Sequence, residues 1–255
     1  MSDTSFNILT YNIHKGFSGS NRRFVLHDIK ASLQAVNADI LLLQEIHGER
    51  IISNNRFDDW HNNRQFEFIA DKVWSYHAYG KNALYQSGHH GNAILSKYPF
   101  IEWDNIDVSF MKSASRSLLH GIIHLPNSSQ RVHLICVHLG LFGRERSSQL
   151  TTLVQRINSH IPSHEPLIIA GDFNDWRRRA EHHLHHDLGV QEVFKHSQGR
   201  YARTFPSVLP LLSMDRIYSR GLDLVQCQHL KGQPWNRLSD HTPLLAEFKL
   251  RKYND

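Results

Sequence analysis

Short apolar runs that end in polar clusters set the pattern of this chain. Residues Phe6 to Ile13 alternate apolar and polar in the period of two that a strand requires, and the run stops at Lys15-Gly16. From Arg23 to Val36, the residues Phe24, Val25, Ile29, Leu33 and Val36 recur at helical spacing. Ala38 to Ile46 is a leucine-rich run of the length of a buried strand, and Asn92 to Ser96 reads as another short strand. Strands are expected over Ser117 to Leu125 and Arg131 to Leu139, then a helix from Ser147 to Ile161 with Leu150, Leu153, Val154 and Ile157 on one face. Pro162 stops that helix. Leu167 to Ala170 is a strand, Leu188 to Phe194 a short helix, and strands around Met214 to Tyr218, Leu222 to Gln226 and Pro243 to Leu250 close the chain. Strands dominate, with no regular βαβ rhythm. The expected architecture is a β-sandwich with helices on its outer faces, built as one domain over residues 1–255.

Composition narrows the class. A chain of 255 residues buries a sizeable core without disulfides, and its two cysteines, Cys136 and Cys227, fit no zinc or redox spacing. Residues Met1 to Asn12 lack a basic start followed by an apolar core. The longest apolar runs, such as Ile40 to Leu43, are far too short to span a bilayer, so a soluble, cytoplasmic protein is expected. The formal charge of +5 suits a phosphate-bearing partner. Of the twenty histidines, those at His182, His183, His185 and His186 read as solvent-facing. Trp60, Trp74, Trp103, Trp176 and Trp235 could line an interfacial rim, but core packing fits most of them better, and membrane contact would be peripheral at most.

The ends of the strands carry the chemistry. Asn12 ends the first strand, Glu45 follows Leu41-Leu42-Leu43-Gln44, and His138 ends another run. Asp172 and Asn174 follow Leu167 to Gly171, Asp215 follows Leu211 to Met214, and Asp240-His241 precede the last strand. Each is an acceptable turn former alone. Together, carboxylates at the ends of buried strands are costly unless they are paired or bind a metal. Hard cations such as Mg²⁺ take oxygen ligands, and an imidazole oriented by a carboxylate can donate to phosphate. The chain has no Gly-x-Ser-x-Gly elbow, no Gly-Lys-Ser/Thr phosphate loop and no dinucleotide fingerprint.

Seven blocks stand in an order that resembles the endonuclease/exonuclease/phosphatase superfamily. They are Thr10-Tyr11-Asn12-Ile13, Leu43-Gln44-Glu45, Gly91 to Ser96, Val137-His138-Leu139, Gly171-Asp172-Phe173-Asn174, Met214-Asp215-Arg216-Ile217 and Ser239-Asp240-His241-Thr242-Pro243. Asn12-Ile13-His14-Lys15-Gly16 and Gly171 to Trp176 are similar to a bacterial branch of that superfamily. The resemblance implies a DNase I-like four-layer α/β sandwich, two packed and mostly antiparallel sheets flanked by helices, with the site at one edge. It implies that Glu45 is the principal ligand of Mg²⁺, with Mn²⁺ as substitute and with Asn12 and Asp240 nearby. Asp172 would orient or deprotonate the attacking water, Asn174 would hold water and phosphate, and Asp215 would brace His241 against the scissile phosphate. His138 matches a second histidine of the deoxyribonuclease-like branches, and Arg116 the place of a phosphate-binding arginine. His89 stands where abasic-site endonucleases carry a phosphate-contacting tyrosine, a place His90 could fill equally.

One departure bears on the substrate. Abasic-site endonucleases have no histidine at the position of His138, so that form of DNA repair becomes less favoured. Three readings follow: a phosphodiesterase or phosphatase acting on a lipid headgroup or small phosphoester, a nuclease favoured by Arg177-Arg178-Arg179, and a non-catalytic scaffold of the same fold. The scaffold is disfavoured because Glu45, Asp172, Asn174, Asp240 and His241 are all present.

Overall fold

The computed structural model describes residues 5–50, 64–85, 88–110 and 115–251; Trp60, one of the five tryptophans, lies outside them. Strand β1 (Ser5–Asn12) runs through a 3-10 turn (His14–Gly16) into α1 (Leu26–Val36) and back through β2 (Ile40–Arg50). Next come α2 (Gln65–Ala70), β3 (Tyr76–Tyr85), β4 (Gly88–Ser96), β5 (Phe100–Asp107) and β6 (Ser117–His124). Strand β7 (Arg131–His138) is followed by α3 (Gly143–His160), β8 (Leu167–Asp172) and α4 (Ala180–Leu188). The chain continues through β9 (Gln191–Glu192), α5 (Val193–Gln198), β10 (Asp215–Arg220), β11 (Leu222–His229), α6 (Trp235–Leu238) and β12 (Leu244–Leu250).

The strands form two six-stranded sheets, in the orders β11-β12-β1-β2-β4-β3 and β5-β6-β7-β8-β10-β9. At the centre of each lies a parallel pair, β1 with β2 and β7 with β8; the remaining pairings are antiparallel. Period-two alternation divides the core into three. Phe6 and Ile8 of β1, Ile40 and Leu42 of β2, Leu134 and Cys136 of β7, and Ile168 and Ala170 of β8 meet between the sheets. Leu9, Tyr11, Leu41 and Leu43 face α1, α2 and α6 on one side, and Ile135, Val137, Leu167 and Ile169 face α3 and α4 on the other. Four layers result, because each central strand is apolar on both faces. Each fully buried Leu or Ile contributes about 1.5–3 kcal/mol.

The segment expected as a helix from Leu188 to Phe194 is divided among three elements. Gly189, in left-handed backbone at φ 65°, ends α4, and two residues of β9 precede α5. Its apolar residues Leu188, Val190 and Phe194 are buried, which gave the segment a helical look. Strands β3 and β5, both at sheet edges, and α2 were not expected from the pattern.

Candidate active site

The face of each central strand that lines the inter-sheet core turns polar at one end. Along β1 it reads Phe6, Ile8, Thr10, Asn12; along β7, Val132, Leu134, Cys136, His138; along β8, Ile168, Ala170, Asp172. Because β1 runs parallel to β2 and β7 parallel to β8, Asn12 registers with Gln44 and His138 with Asp172. Strand β10 runs the other way, so its first residue, Asp215, also registers with Asp172. The carboxyl ends of the two parallel pairs therefore gather the expected residues at one edge of the sandwich.

Local irregularities aim them. The β2–β4 register shifts between Leu43 and Ile46, and Glu45 sits in that bulge at φ 55°. Gly171 has φ 144°, and a Cβ there would lie 2.0 Å from the carbonyl oxygen of Val137, so only glycine lets β7 and β8 close up before Asp172. His14 and Lys15 take φ values of 47° and 58° ahead of Gly16 at 81°. That left-handed turn carries Lys15 Nζ to 3.5 Å from Glu45 Oε2 and His14 Nδ1 to 3.4 Å from Asp240 Oδ1.

Asp172 is the hub. The amide of Asn12 donates to its Oδ2 at 3.2 Å and to Glu45 Oε1 at 3.3 Å. His138 Nε2 and His241 Nε2 lie 3.6 and 3.8 Å from the same Oδ2, while the Asn174 backbone N–H donates to Oδ1 at 2.9 Å. His241 Nδ1 bonds Asp215 Oδ2 at 2.7 Å. The Asn174 side chain donates to the carbonyl of Leu139 at 2.9 Å, which ties the β8 loop to the end of β7. Ser239 completes the frame: its hydroxyl donates to the Asn12 carbonyl at 2.7 Å and accepts the His241 N–H at 3.2 Å.

Burial and neighbouring charge set opposite protonation states. Burial would raise the pKa of Glu45, but His138, Lys15 and the Asn12 amide outweigh it and hold it at about 2. Burial drives the pKa of Asp172 upward against the pull of His241. Burial would likewise strip the proton from His241, yet Asp215 and Asp172 raise its pKa to about 10. His138 is pushed down to about 4 by burial and by Arg116, so at neutral pH it is uncharged.

His89 and His90 part company. His89 Nδ1 bonds the Tyr79 hydroxyl at 2.8 Å, whereas the electrostatic neighbours of His90 are Lys15, Glu45, His47 and Arg116. Arg116 is half-buried and near enough to His138 and His90 to depress both. In the sequence, His14, Lys15 and Ser239 stand only as members of family blocks, with no contact or role of their own. Only the left-handed turn, invisible in residue types, brings the first two over Glu45 and Asp240.

Among the described residues, Asp172, Asp215 and His241 form a buried group with ligand atoms within 4.8 Å of one another, close enough to hold a metal ion. Glu45 offers a second, chemically harder place: an ionised carboxylate at a polar rim, already drawing the ammonium of Lys15. Asn12, whose amide nitrogen faces Glu45 while its Oδ1 accepts the His14 N–H at 3.1 Å, and Asp240, 3.4 Å from His14, carry oxygens of the kind Mg²⁺ prefers.

A two-layer β-sandwich with carboxylates, an amide and two imidazoles at one edge is the frame of a phosphoester-hydrolysing superfamily. Residues 9–241 match the model of the Endonuclease/Exonuclease/phosphatase family, and the chain belongs to that family. It is 44% identical over 246 residues, covering 96% of this chain and 97% of the relative, to the uncharacterized protein YbhP of Escherichia coli K12. Its fold is similar to that of an endonuclease/exonuclease/phosphatase from Beutenbergia cavernae, with a TM-score of 0.80 at 16% identity over 96% of this chain and 72% of that one. It is also similar to the human Nocturnin catalytic domain, solved with a bound sulfate anion, at a TM-score of 0.75 and 19% identity over 97% and 96% of the two chains. Family membership supports metal-dependent phosphoester hydrolysis as the general chemistry. No helix among the described residues is long and apolar enough to cross a membrane.

Proposed function

We propose that this protein is a divalent-metal-dependent phosphodiesterase that cleaves a phospholipid or another small phosphoester through a water activated at Asp172. The supporting observation is the hub itself. One buried carboxylate with a raised pKa is flanked by Asn12, His138 and His241 and fixed by the Asn174 N–H. A carboxylate so placed accepts the proton of a water as its oxygen bonds to phosphorus and the ester P–O bond breaks. His241, kept protonated by Asp215, stabilises the charge that grows on the phosphoryl oxygens. His138 donates from a neutral ring, and Arg116 with His90, the histidine whose neighbours are Glu45 and Arg116, completes the phosphate cradle. Glu45, Asn12 and Asp240 would hold Mg²⁺ or Mn²⁺, which when bound supplies charge neutralisation at the phosphate and leaving oxygen. We assign the ion to Glu45 rather than to the Asp172–Asp215–His241 group because His241 is protonated there and Asp215 is engaged with it.

The test is hydrolysis of bis-(p-nitrophenyl) phosphate against p-nitrophenyl phosphate with Mg²⁺, with Asp172→Ala as control. Faster cleavage of the diester, abolished by EDTA and restored by Mg²⁺ or Mn²⁺, is the expected result. Preference for the monoester, or full activity in the variant, would refute the assignment. A nuclease is the second reading, favoured by exposed Arg177, Arg178 and Arg179 directly behind the Asn174 loop. A cavity of about 500 Å³ bordered by Arg178, Arg200, Arg203 and Lys231, and by Lys195 in a pair with Glu181, also favours it. A polymer substrate would show a steep loss of affinity with salt, a small phosphoester a shallow one.

A further inference from the structure

The large apolar side chains that stand exposed are few, and they are not scattered. Of the eleven among the described residues, six lie in the three loops that leave or enter catalytic strand ends: Leu141 and Phe142 after β7, Trp176 after β8, and Val208, Leu209 and Leu211 before β10. Phe142 is 67% exposed and Val208 78%, although both loops are tied down. Arg146 donates to the carbonyls of Gly140 and Leu141 at 3.1 and 2.6 Å, with its guanidinium 5.3 Å from the Trp176 ring. In the other loop, Ser207 N–H donates to the Asp240 carbonyl at 2.7 Å and the Phe205 ring packs 5.1 Å from His241. An apolar cluster held outward at the rim of a site calls for a partner that covers it.

Charge identifies that partner. Arg144, Arg177, Arg178 and Arg179 are exposed between the apolar tips, and Arg200 and Arg203 border the neighbouring cavity. Across residues 139–146, 173–179 and 199–214 the only carboxylates are Glu145 and Asp175. Both are buried, and Asp175 is paired with Arg216. Aliphatic tips among arginines, with no exposed acid in these three loops and Glu181 of the neighbouring cavity paired with Lys195, match the interface of an anionic bilayer, where apolar groups enter the headgroup boundary and cations meet lipid phosphates. A nucleic-acid strand would use the arginines and Trp176 but gains little from Val208, Leu209 and Leu211.

We propose that these three loops form a docking surface for anionic phospholipid membranes that presents the active site to lipid headgroups. The docking rests on the phosphodiesterase reading only for what is cleaved, since adhesion itself needs no turnover. The test is co-sedimentation of the full chain, in EDTA, with vesicles of phosphatidylcholine alone or mixed with phosphatidylserine. The protein should pellet with the mixed vesicles and stay in solution with phosphatidylcholine. Phe142→Ser and Leu209→Ser should each weaken binding about tenfold, as loss of one inserted apolar side chain implies. Arg177→Gln and Arg179→Gln should each weaken it about fivefold. Melting temperature and bis-(p-nitrophenyl) phosphate hydrolysis should not move in any of these variants; serine at position 142 sits at the N-cap of α3, where it is welcome.

Failure to pellet, equal pelleting with both vesicles, or binding indifferent to Phe142→Ser and Leu209→Ser would overturn the proposal. So would a dimer in solution dissolved by those same substitutions, or oligonucleotide binding that needs the arginines but not Phe142. Wild-type protein that docks yet cleaves neither aryl phosphate sinks the phosphodiesterase reading alone. Protein that cleaves the diester yet ignores vesicles sinks the docking alone.

Discussion

Two buried charge clusters sit back to back on β10, and they solve opposite problems. Asp215 faces the inter-sheet edge with His241 and Asp172; its neighbour Arg216, pointing to the opposite face, is fully buried against Asp175. The Arg216 guanidinium donates to Asp175 Oδ2 at 3.3 Å, to the Asp175 carbonyl, to the Tyr218 hydroxyl at 3.3 Å and to the Ser213 carbonyl at 3.5 Å. It also stacks 4.9 Å from the Tyr201 ring. Asp175 Oδ2 also accepts the Ala180 N–H at 2.8 Å, at the start of α4, while Asp175 Oδ1 and Arg216 Nε have no hydrogen-bond partner among the described residues. This second cluster is balanced in charge, one cation against one anion, and the pair pins the Asn174 loop to the sheet. The candidate catalytic cluster is lopsided, with Asp172 and Asp215 sharing one strongly basic imidazole. Balanced charge serves the fold, whereas two carboxylates around one imidazole leave the charge imbalance that shifts pKa values at functional sites.

The comparison can be broken by substitution. The largest effect should come from Arg216→Ala, which strands the Asp175 carboxylate and should cost about 3–5 kcal/mol in urea unfolding. A variant that kept its stability but lost turnover would move Arg216 into the catalytic machinery and erase the distinction. Asp172→Ala should do the reverse, lowering kcat by a factor of about 10² to 10³ while the melting temperature holds or rises. Next is Glu192, whose buried carboxylate caps α5 through the Lys195 N–H at 2.6 Å. Burial raises its pKa from 4.5 to about 7. Because the folded state holds this proton more tightly, its contribution is complete below pH about 4.5 and is lost as pH rises through about 7. Glu192→Gln keeps the cap and should be more stable than wild type at pH 8 by about 1–3 kcal/mol, with the gap closing in acid. The smallest effect belongs to the exposed Arg251–Asp223 pair at 2.8 Å, where Asp223→Asn should change stability by about 0–1 kcal/mol.

What the sequence made legible follows from burial. Strands β2, β7 and β8 are apolar on both faces because helices cover one and the other sheet covers the second, so their runs stand out. Strand β5 reads Phe-Ile-Glu-Trp-Asp-Asn-Ile-Asp and is mostly exposed; backbone pairing with β6 holds it, which leaves little trace in residue type. The set of candidate site residues was readable because polar residues at the ends of apolar strands are conspicuous. Which of His89 and His90 looks toward Glu45 was not, since that choice depends on the pairing and bulges of β4 against β2 and β3. Nor was the contact of Lys15 with Glu45, which depends on a backbone turn that lysine rarely adopts.

Strand β1 lies between β2 and β12. Asn12 is thus held on one side by a segment made early and on the other by Ser239, at the end of α6, just ahead of β12, which comes last among the described elements. Contacts that join residue 12 to residues 172 and 239 close long loops, and such closures come late in folding. During synthesis, Asn12 and Asp172 are both present by residue 172, but His241 and the Ser239 hydroxyl that holds the Asn12 carbonyl come only with the last part of the described chain. On the proposed mechanism, a nascent chain that ends before His241 lacks the imidazole paired with Asp215 and cannot yet hydrolyse a phosphoester.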